Sequence, residues 1–414
     1  MADQFDVVII GGGPGGYAAA LYGAAAGLSI ALVERDKVGG TCLHRGCIPA
    51  KELLESAAVF RTVNHAATFG VQAGPATMDF PVTLARKDQV VDGLWKGLAG
   101  LLKSRKVSTF AGTGVFAGNG RVVVTDDKGA TTELTGANVI LATGSAPRTI
   151  PGFEVDGRFV QTSDEVLATD TLPAWGMDVR TGVAVTGHTP GTSTTFVQLE
   201  GGESVEVERI IVSVGRRPLS ETLGLDGTGV EVDERGFVKI DATCRTNVGG
   251  VWAIGDLVAT PQLAHVGFAE GMVVIRDILG EAPVPIAYDR VPWCIYSHPE
   301  VAFAGHSEQS ARDAGYEVVV SKHQYRGNGR ALILGEPDGL VKVIAAKGAD
   351  GRAGQILGVH MVGPWVTEQL GQGYLAVNWE ATVDEVAAFI QPHPTLSELF
   401  GETVLSMTGR GLHG

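Results

Sequence analysis

Two cysteines five residues apart carry the clearest chemistry in the sequence. Cys42 and Cys47 lie in the run Gly-Gly-Thr-Cys-Leu-His-Arg-Gly-Cys-Ile-Pro-Ala-Lys, which ends at Lys51. On a regular helix, residues at this spacing have Cα atoms roughly 8–9 Å apart, whereas a disulfide needs about 4.4–6.8 Å. We therefore expect a loop that enters a helix, or a distorted first turn, and Pro49 suits such a start. A thiolate is favoured near a helix N-terminus and a lysine, so the pair indicates dithiol–disulfide chemistry; the alternative is two buried structural cysteines.

A histidine near the C-terminus is a second candidate. His393 lies in the run Gln-Pro-His-Pro-Thr-Leu-Ser-Glu, in which Glu398 follows it by five residues. A carboxylate can orient an imidazole and make it more basic, as a general base requires. An isolated histidine can equally be structural. Pro394 suits the first turn of a helix, so this run is predicted to open the last helix of the chain.

The elements that position the cysteines begin near the N-terminus. Residues 5–10 are a short apolar run rich in β-branched side chains, which predicts a buried parallel strand. A glycine-rich turn, a helix over 17–27 and a strand over 28–33 follow, and Glu34 closes the unit. In such a unit the glycines let the backbone approach a pyrophosphate and the acid accepts from a ribose hydroxyl; the alternative is a turn without a ligand. The glycines of this fingerprint, Gly-x-Gly-x-x-Gly, are Gly11, Gly13 and Gly16.

Two later segments each combine an apolar strand with a small-residue turn. Residues 139–145 form the first, and residues 250–256 form the second, which ends at Asp256. An acid at the carboxyl end of a strand, beside a binding crevice, can accept from a cofactor hydroxyl. Either segment alone could be an ordinary strand and turn. The turn residues of the first segment are Thr143, Gly144 and Ser145.

Composition limits the class of protein. The chain has 414 residues, 44% of them hydrophobic, which predicts roughly two to four domains. A formal net charge of -14 without a long basic run argues against a nucleic-acid partner. Four cysteines are too few for a secreted disulfide scaffold, and the N-terminus lacks a signal-peptide pattern. Without a stretch of ~18 apolar residues, no membrane span is expected, and the protein is predicted to be cytoplasmic.

These motifs together carry a family resemblance. From residue 5 to about 162, and from about 199 to the C-terminus, the chain resembles the pyridine nucleotide-disulfide oxidoreductases, flavoproteins with two dinucleotide domains. Its cysteine run is most similar to that of the dihydrolipoamide dehydrogenases; mercuric reductases fit less well, because no cysteine pair lies near this C-terminus. The resemblance implies that the first fingerprint binds FAD, with Glu34 at the adenosine ribose and Asp256 at the ribityl–phosphate region. Further FAD contacts are implied for Gly11, Gly13, Gly16, Lys51, Gly114, Thr143, Gly144, Ser145, Ala264 and His265, and no metal is implied.

The same resemblance implies a catalytic cycle. Dihydrolipoamide, free or on a lipoyl-bearing protein, reduces the disulfide, with Cys42 as the interchange thiol and Cys47 facing the flavin. His393, paired with Glu398, takes a proton, and Lys51 lies near the flavin. Electrons then pass to FAD and finally to NAD. Because the histidine of this family acts on the disulfide of the other subunit, a homodimer with a shared active site is implied.

The middle of the chain departs from the family pattern. The family has a second dinucleotide fold there, which receives NAD. Residues 163–167 match its approach and residues 172–174 its usual entry, but no second fingerprint follows, and only six residues lie between Pro173 and Arg180. A βαβ unit needs about 30 residues or more. We therefore infer that the NAD-binding core is deleted, by nature, by engineering or by a gap in the recorded chain, whereas strands persist up to about residue 235.

The predicted fold class is α/β. It comprises a Rossmann-like FAD-binding domain, a truncated remnant of a second dinucleotide-binding domain, and an α+β C-terminal dimerisation domain. The predicted boundaries are 1–162 and 236–286 for the FAD-binding domain, 163–235 for the remnant and 287–414 for the dimerisation domain.

Three functions are consistent with these features. The first is a flavin-dependent disulfide oxidoreductase of the dihydrolipoamide dehydrogenase type, with NAD as the family's acceptor. The second is a flavin–dithiol protein that passes electrons to a quinone, oxygen or a protein disulfide. The third is a non-catalytic relative that binds FAD and dimerises. The joint presence of Cys42, Cys47, Lys51, His393 and Glu398 argues against the third.

Overall fold

The computed structural model describes residues 3–169 and 178–412. The chain divides between Ile286 and Ala287 into two compact units. Residues 172–177 lie outside the described residues. They include the predicted entry to the second dinucleotide fold and most of the six residues between Pro173 and Arg180. The domain boundaries predicted within the first unit stay predictions.

Helices occur in both units. They are α1 (Pro14–Ala25), α2 (Gly40–Arg45), α3 (Cys47–His65), α4 (Phe80–Ser104), α5 (Ser163–Val166), α6 (Ala264–Ile278), α7 (Glu308–Asp313), α8 (Gly329–Leu334), α9 (Val366–Asn378), α10 (Val383–Ala387) and α11 (Glu398–Ser406).

Strands form several sheets. They are β1 (Asp3–Ile10), β2 (Ile30–Glu34), β3 (Ser108–Ala111), β4 (Thr113–Phe116), β5 (Arg121–Thr125), β6 (Thr131–Leu141), β7 (Ser145–Pro147), β8 (Val160–Gln161), β9 (Val185–Pro190), β10 (Thr195–Leu199), β11 (Ser204–Val207), β12 (Ile210–Ile211), β13 (Arg216–Pro218), β14 (Val251–Ala253), β15 (Trp293–Ile295), β16 (Glu300–Gly305), β17 (Val318–Gln324), β18 (Leu340–Lys347) and β19 (Ala353–Gly363).

A mixed sheet forms the core of the first unit. Its strand order is β3-β2-β1-β6-β5-β4, with β14 pairing with β6 as well. The strands β1, β2, β3, β6 and β14 pair in parallel, whereas β4 and β5 add an antiparallel hairpin. Residues 7–10 and 30–33 are buried, as expected for parallel strands that are covered on both faces. This arrangement brings the carboxyl ends of β1, β6 and β14 to one edge of the sheet.

The first helix begins earlier than the apolar pattern predicts. It starts at Pro14 instead of residue 17, because proline is well suited to the first helical position. It packs against α6, and Gly15 and Gly267 allow the two backbones to approach closely. The strand after it ends at Glu34, so the acid of the fingerprint belongs to the sheet itself.

The middle of the first unit is a small antiparallel meander. The strands β9, β10 and β11 form one sheet. Two short strand pairs flank it along the chain: β8 pairs in parallel with β12, and β7 pairs antiparallel with β13. Among the described residues of the range 163–235, the only helix is the four-residue α5.

The second unit is built on an antiparallel sheet. Its strand order is β15-β16-β19-β18-β17, and α9, α10 and α11 contact this sheet. Its buried core includes Val341, Val359, Leu370 and Phe400. The helix predicted from about residue 367 begins at Val366.

Candidate active site

Cys42 and Cys47 form a disulfide at the junction of two helices. The helix α2 ends at Arg45, α3 begins at Cys47, and Gly46 between them has non-helical backbone angles. The break brings the two Cα atoms to 4.6 Å, within the range that a disulfide requires. The expected distorted turn is therefore present, and both cysteines are half-buried.

The two sulfur atoms have different surroundings. Cys47 is the first residue of α3, which has 19 residues. The N–H groups and the dipole at that end stabilise a nearby thiolate. Cys42 lies within the six-residue α2. Lys51 is exposed and follows Cys47 by four residues, which places the two on one face of α3. The fold thus favours the thiolate of Cys47 over that of Cys42.

The residues between the cysteines are anchored on both sides. The ring of His44 contacts the carbonyl oxygen of Val38 through Nε2, at 3.0 Å. The guanidinium of Arg45 lies 3.0 Å from Oδ2 of Asp36 and 3.8 Å from Oδ2 of Asp164. The disulfide segment is therefore tied to the segment after β2 and to α5.

The three fingerprint glycines serve different purposes. Gly11 has a φ of +111°, and a Cβ there would lie 2.2 Å from the carbonyl oxygen of Ala142. A Cβ on Gly16 would lie 1.8 Å from the carbonyl oxygen of Gly11, so both glycines permit close packing of β1, α1 and β6. A Cβ on Gly13 would meet no protein atom within 4 Å. The open space at Gly13, beside the N-terminus of α1, suits a pyrophosphate.

Several residues predicted to contact the cofactor line a cleft beside the fingerprint. The carboxylate of Glu34 accepts from the backbone N–H of Gly12 at 2.7 Å and of Asp36 at 2.9 Å, which fixes it at the end of β2. This arrangement fits the adenosine half of a dinucleotide. The residues lining the cleft include Ile10, Gly11, Val33, Glu34, Gly112, Thr113, Gly114, Thr143 and Leu219.

Asp256 belongs to a polar network at the end of β14. Ser145 donates its hydroxyl to Oδ2 of Asp256 at 2.6 Å. Arg216 donates Nε to the hydroxyl oxygen of Ser145 at 2.6 Å, and this nitrogen lies 3.6 Å from Oδ2 of Asp256. The buried carboxylate of Glu270 accepts from the N–H of Gly255 at 2.5 Å and holds the turn. The network thus fixes the acid predicted to face the cofactor.

Arg216 and Glu270 are site residues that sequence reasoning missed. Arg216 lies 71 residues from Ser145, with which it forms its hydrogen bonds. Glu270 lies 15 residues after the glycine that it holds. For Glu270 a signal existed, since it is the only charged residue in the run Val-Gly-Phe-Ala-Glu-Gly-Met-Val-Val-Ile of α6. Acids in such surroundings are rarely buried without a partner.

The remaining predicted flavin contacts lie at turns and at a helix start. Thr143 donates its hydroxyl to the carbonyl oxygen of Leu219 at 3.1 Å, and Gly144 accepts from the N–H of Leu219 at 2.9 Å. Ala264 is half-buried at the first position of α6, and His265 beside it is exposed. Their approach to a flavin stays a prediction, as does that of Lys51.

In the second unit, His393 and Glu398 form a hydrogen-bonded pair. Nδ1 of His393 lies 2.9 Å from Oε2 of Glu398. The histidine side chain is 73% exposed and that of the glutamate only 13%, so the carboxylate is fixed and the imidazole can reach a substrate. The helix expectation for Pro394 is wrong: α11 begins four residues later, at Glu398, because the carbonyl oxygen of Thr395 is held by Asn328 at 2.9 Å and does not start the helix.

Two family models match the chain. One, described as pyridine nucleotide-disulphide oxidoreductase, matches residues 5–174 and 165–271. The other, the dimerisation domain of the same family, matches residues 291–404. The chain belongs to this family.

Relatives extend the match over the whole length. Dihydrolipoyl dehydrogenases from Bacillus subtilis and Cupriavidus necator are 37% and 33% identical to the chain, each over 100% of both sequences. The crystal structure of LpdA from Mycobacterium tuberculosis is 22% identical; it covers 98% of this chain and 100% of its own, with a TM-score of 0.90. This structural likeness supports the α/β fold of a pyridine nucleotide-disulphide oxidoreductase.

Two further findings apply to the described part of this oxidoreductase. None of its helices there is both long and apolar enough to cross a membrane. Within the same residues, no group of three or more His, Cys, Asp or Glu side chains is arranged to hold a metal ion.

The glycines of this oxidoreductase give a first testable prediction. Gly13→Val is expected to raise the dissociation constant of FAD at least about tenfold, equal to ~1.4 kcal/mol, because the new side chain fills the space beside the N-terminus of α1. The fold should survive, since a Cβ at this position meets no protein atom. FAD absorbance per protein and the melting temperature measure the two effects.

Gly93→Val is the matched control, because a Cβ there also meets no protein atom, and Gly93 lies far along the chain in α4. It should keep full FAD content. Equal FAD content in the Gly13 and Gly93 variants would contradict the assignment of the pyrophosphate to the fingerprint.

Proposed function

We propose that this protein is an enzyme of the dihydrolipoyl dehydrogenase type that oxidises dihydrolipoamide, free or on a lipoyl-bearing protein. The observation that carries the proposal is the Cys42–Cys47 disulfide at the start of α3, in the unit that contains the glycine fingerprint. The full-length relatives named dihydrolipoyl dehydrogenase support it further. A homodimer in the cytoplasm is part of the proposal.

The thiol chemistry needs only residues of this chain. One sulfur of dihydrolipoamide gives its proton to His393 and attacks Cys42; the Cys42–Cys47 bond breaks, and Cys47 leaves as a thiolate. The second substrate sulfur then attacks the first and closes lipoamide, and the Cys42 sulfur that is released takes the proton of this second thiol. The two protons and two electrons of the substrate now reside on the enzyme. Glu398 stabilises the imidazolium that His393 becomes, and in the proposed dimer this pair acts on the partner's disulfide.

The residues described in the first unit fit FAD. The open space at Gly13, the closely packed Gly11 and Gly16 and the fixed carboxylate of Glu34 all fit its adenosine diphosphate half. When bound, FAD accepts the electron pair of the dithiol and passes it to an acceptor. The residues assigned to the remaining contacts are Lys51, Gly114, Thr143, Gly144, Ser145, Asp256, Ala264 and His265.

The identity of the acceptor depends on the middle of the chain. We propose that the NAD-binding core is missing, because the described residues of 163–235 contain an antiparallel meander and no βαβ unit. The alignment with the Bacillus relative supports this, since it spans 478 positions, more than the 414 residues of this chain. NAD remains the acceptor of the family, but small acceptors such as quinones need no such fold. Electron transfer to a quinone is therefore the second candidate function.

A direct test compares two acceptors. With dihydrolipoamide as donor, we expect turnover with a quinone. NAD reduction should be at least about 100-fold slower than in the Bacillus subtilis relative, because the binding that positions a nicotinamide is missing. The measurement is steady-state turnover beside a titration of NADH binding, with the Bacillus subtilis relative as the control. Tight, saturable NADH binding with fast turnover would contradict the deletion. Absence of turnover with any acceptor, in the FAD-loaded protein, would contradict the proposed function itself.

A further inference from the structure

We infer that Asn328 is the positioning residue of the His393–Glu398 pair. This inference rests on the proposed function, in which His393 moves the proton of the dithiol. Asn328 lies in the second unit, 70 residues before Glu398, and is 4% exposed. Asn328 forms a hydrogen bond with the carboxylate of Glu398, so its effect on the imidazole is transmitted through that carboxylate.

The amide of Asn328 is fully engaged. Its Nδ2 donates to Oε1 of Glu398 at 3.1 Å and to the carbonyl oxygen of Thr395 at 2.9 Å. Its Oδ1 accepts from the N–H of Ala331 at 3.0 Å and caps α8. Both partners of Nδ2 are pure acceptors and the partner of Oδ1 is a pure donor. The amide therefore has one consistent orientation, which the cap of α8 holds in place.

In this orientation, the two carboxylate oxygens of Glu398 have different hydrogen-bond partners. Oε1 is occupied by Asn328, and Oε2 accepts from His393 at 2.9 Å. A largely buried carboxylate needs hydrogen-bond donors, and without Asn328 it would turn to satisfy Oε1 elsewhere. Glu398 is also the charged group that contacts His393 among the described residues of this unit. Asn328 thus keeps the carboxylate of Glu398 directed at the ring of His393, where it stabilises the protonated imidazole.

The second bond of Nδ2 fixes the loop that carries the histidine. Thr395 follows His393 by two residues, and its carbonyl oxygen is held by Asn328 while its hydroxyl accepts the N–H of Glu398, the first residue of α11. The start of α8, the histidine loop and the start of α11 are therefore joined at one buried side chain. A general base must be held in place to within a fraction of an ångström to be effective, and displacement by ~1 Å can cost 10²-fold in rate.

The test uses Asn328→Ser in the FAD-loaded protein. Serine is as good a helix cap as asparagine, but it cannot donate to both Glu398 and Thr395. We expect dihydrolipoamide oxidation with a quinone acceptor to fall roughly 10- to 100-fold. Most of the loss should appear in kcat, with KM for dihydrolipoamide changed little, because a misplaced base slows the proton transfer and leaves the disulfide that receives the substrate intact. Ser307→Ala, which removes the cap of α7 in the same unit, is the control and should change neither constant.

A double-mutant cycle separates positioning from a structural role. If Asn328 acts through Glu398, then Asn328→Ser should cost clearly less in a Glu398→Gln background than in the parent, because only its bond to Thr395 is then left to lose, whereas independent damage would add in full. Fully additive losses, or an unchanged rate, would overturn the inference. If the serine variant does not fold, Asn328→Asp keeps the cap and the size, and it must also lower the rate. Should His393→Ala itself leave the rate unchanged, the role proposed for His393 fails, whereas absence of turnover with every acceptor would refute the proposed function.

Discussion

Cys42→Ser is expected to abolish the oxidation of dihydrolipoamide with every acceptor. The loss should be on the order of 10⁴–10⁶-fold, the scale on which removal of an enzyme nucleophile acts. The reason is that Cys47 loses the cysteine with which it forms a disulfide, so the electron pair of the substrate has no disulfide to reduce. Steady-state turnover with a quinone and with NAD measures the loss, and FAD content should remain unchanged.

The two cysteines can be told apart by spectroscopy. The position of Cys47 at the N-terminus of α3 favours its thiolate. Cys42→Ser should therefore show, without any reductant, the long-wavelength absorbance of a thiolate beside bound FAD, and Cys47→Ser should not. Cys294→Ser, in the second unit, is the control and should keep full turnover. Identical spectra of the Cys42 and Cys47 variants would show that the assigned roles are wrong.

His393→Ala is expected to slow the reaction of the disulfide with dihydrolipoamide by about 10²–10⁴-fold, the usual contribution of general acid–base catalysis. FAD content and dimerisation should stay as they are, since the imidazole is largely exposed. Rapid mixing of the oxidised, FAD-loaded protein with dihydrolipoamide measures the rate of this half-reaction directly.

A second histidine in the same unit provides the control. His298 is exposed and, like His393, precedes a proline. His298→Ala should leave the half-reaction unchanged. An undiminished rate in His393→Ala would instead show that its hydrogen bond to Glu398 is structural.

Local patterns in the sequence were sufficient for the elements around the fingerprint. The strand ending at Ile10, the glycine turn and the strand ending at Glu34 depend on residues within one short stretch, and the sheet places them as expected. The distorted turn at Cys42 and Cys47 was accessible for the same reason, because a disulfide between residues five apart excludes a regular helix. Periodicity and turn chemistry act over a few residues, and these features lie within that range.

The sequence could not supply the contacts that cross the chain. Arg216 reaches Ser145, and Asn328 reaches Glu398, over about 70 residues in each case. The misplaced helix start at Pro394 has a related cause, since Asn328, 67 residues away, holds the carbonyl oxygen of Thr395 outside α11. Such contacts depend on which strands and loops the fold brings together, and a single sequence contains no direct record of that.

The short strand pairs β7–β13 and β8–β12 have a further consequence. Each pair joins a strand that precedes the middle segment to a strand that follows it. Arg216 of β13 also forms a hydrogen bond with Ser145 of β7. The two ends of the middle segment are therefore neighbours in the fold. Residues can therefore be gained or lost between β8 and β12 while the strand pair that carries Arg216 and Ser145 stays in place.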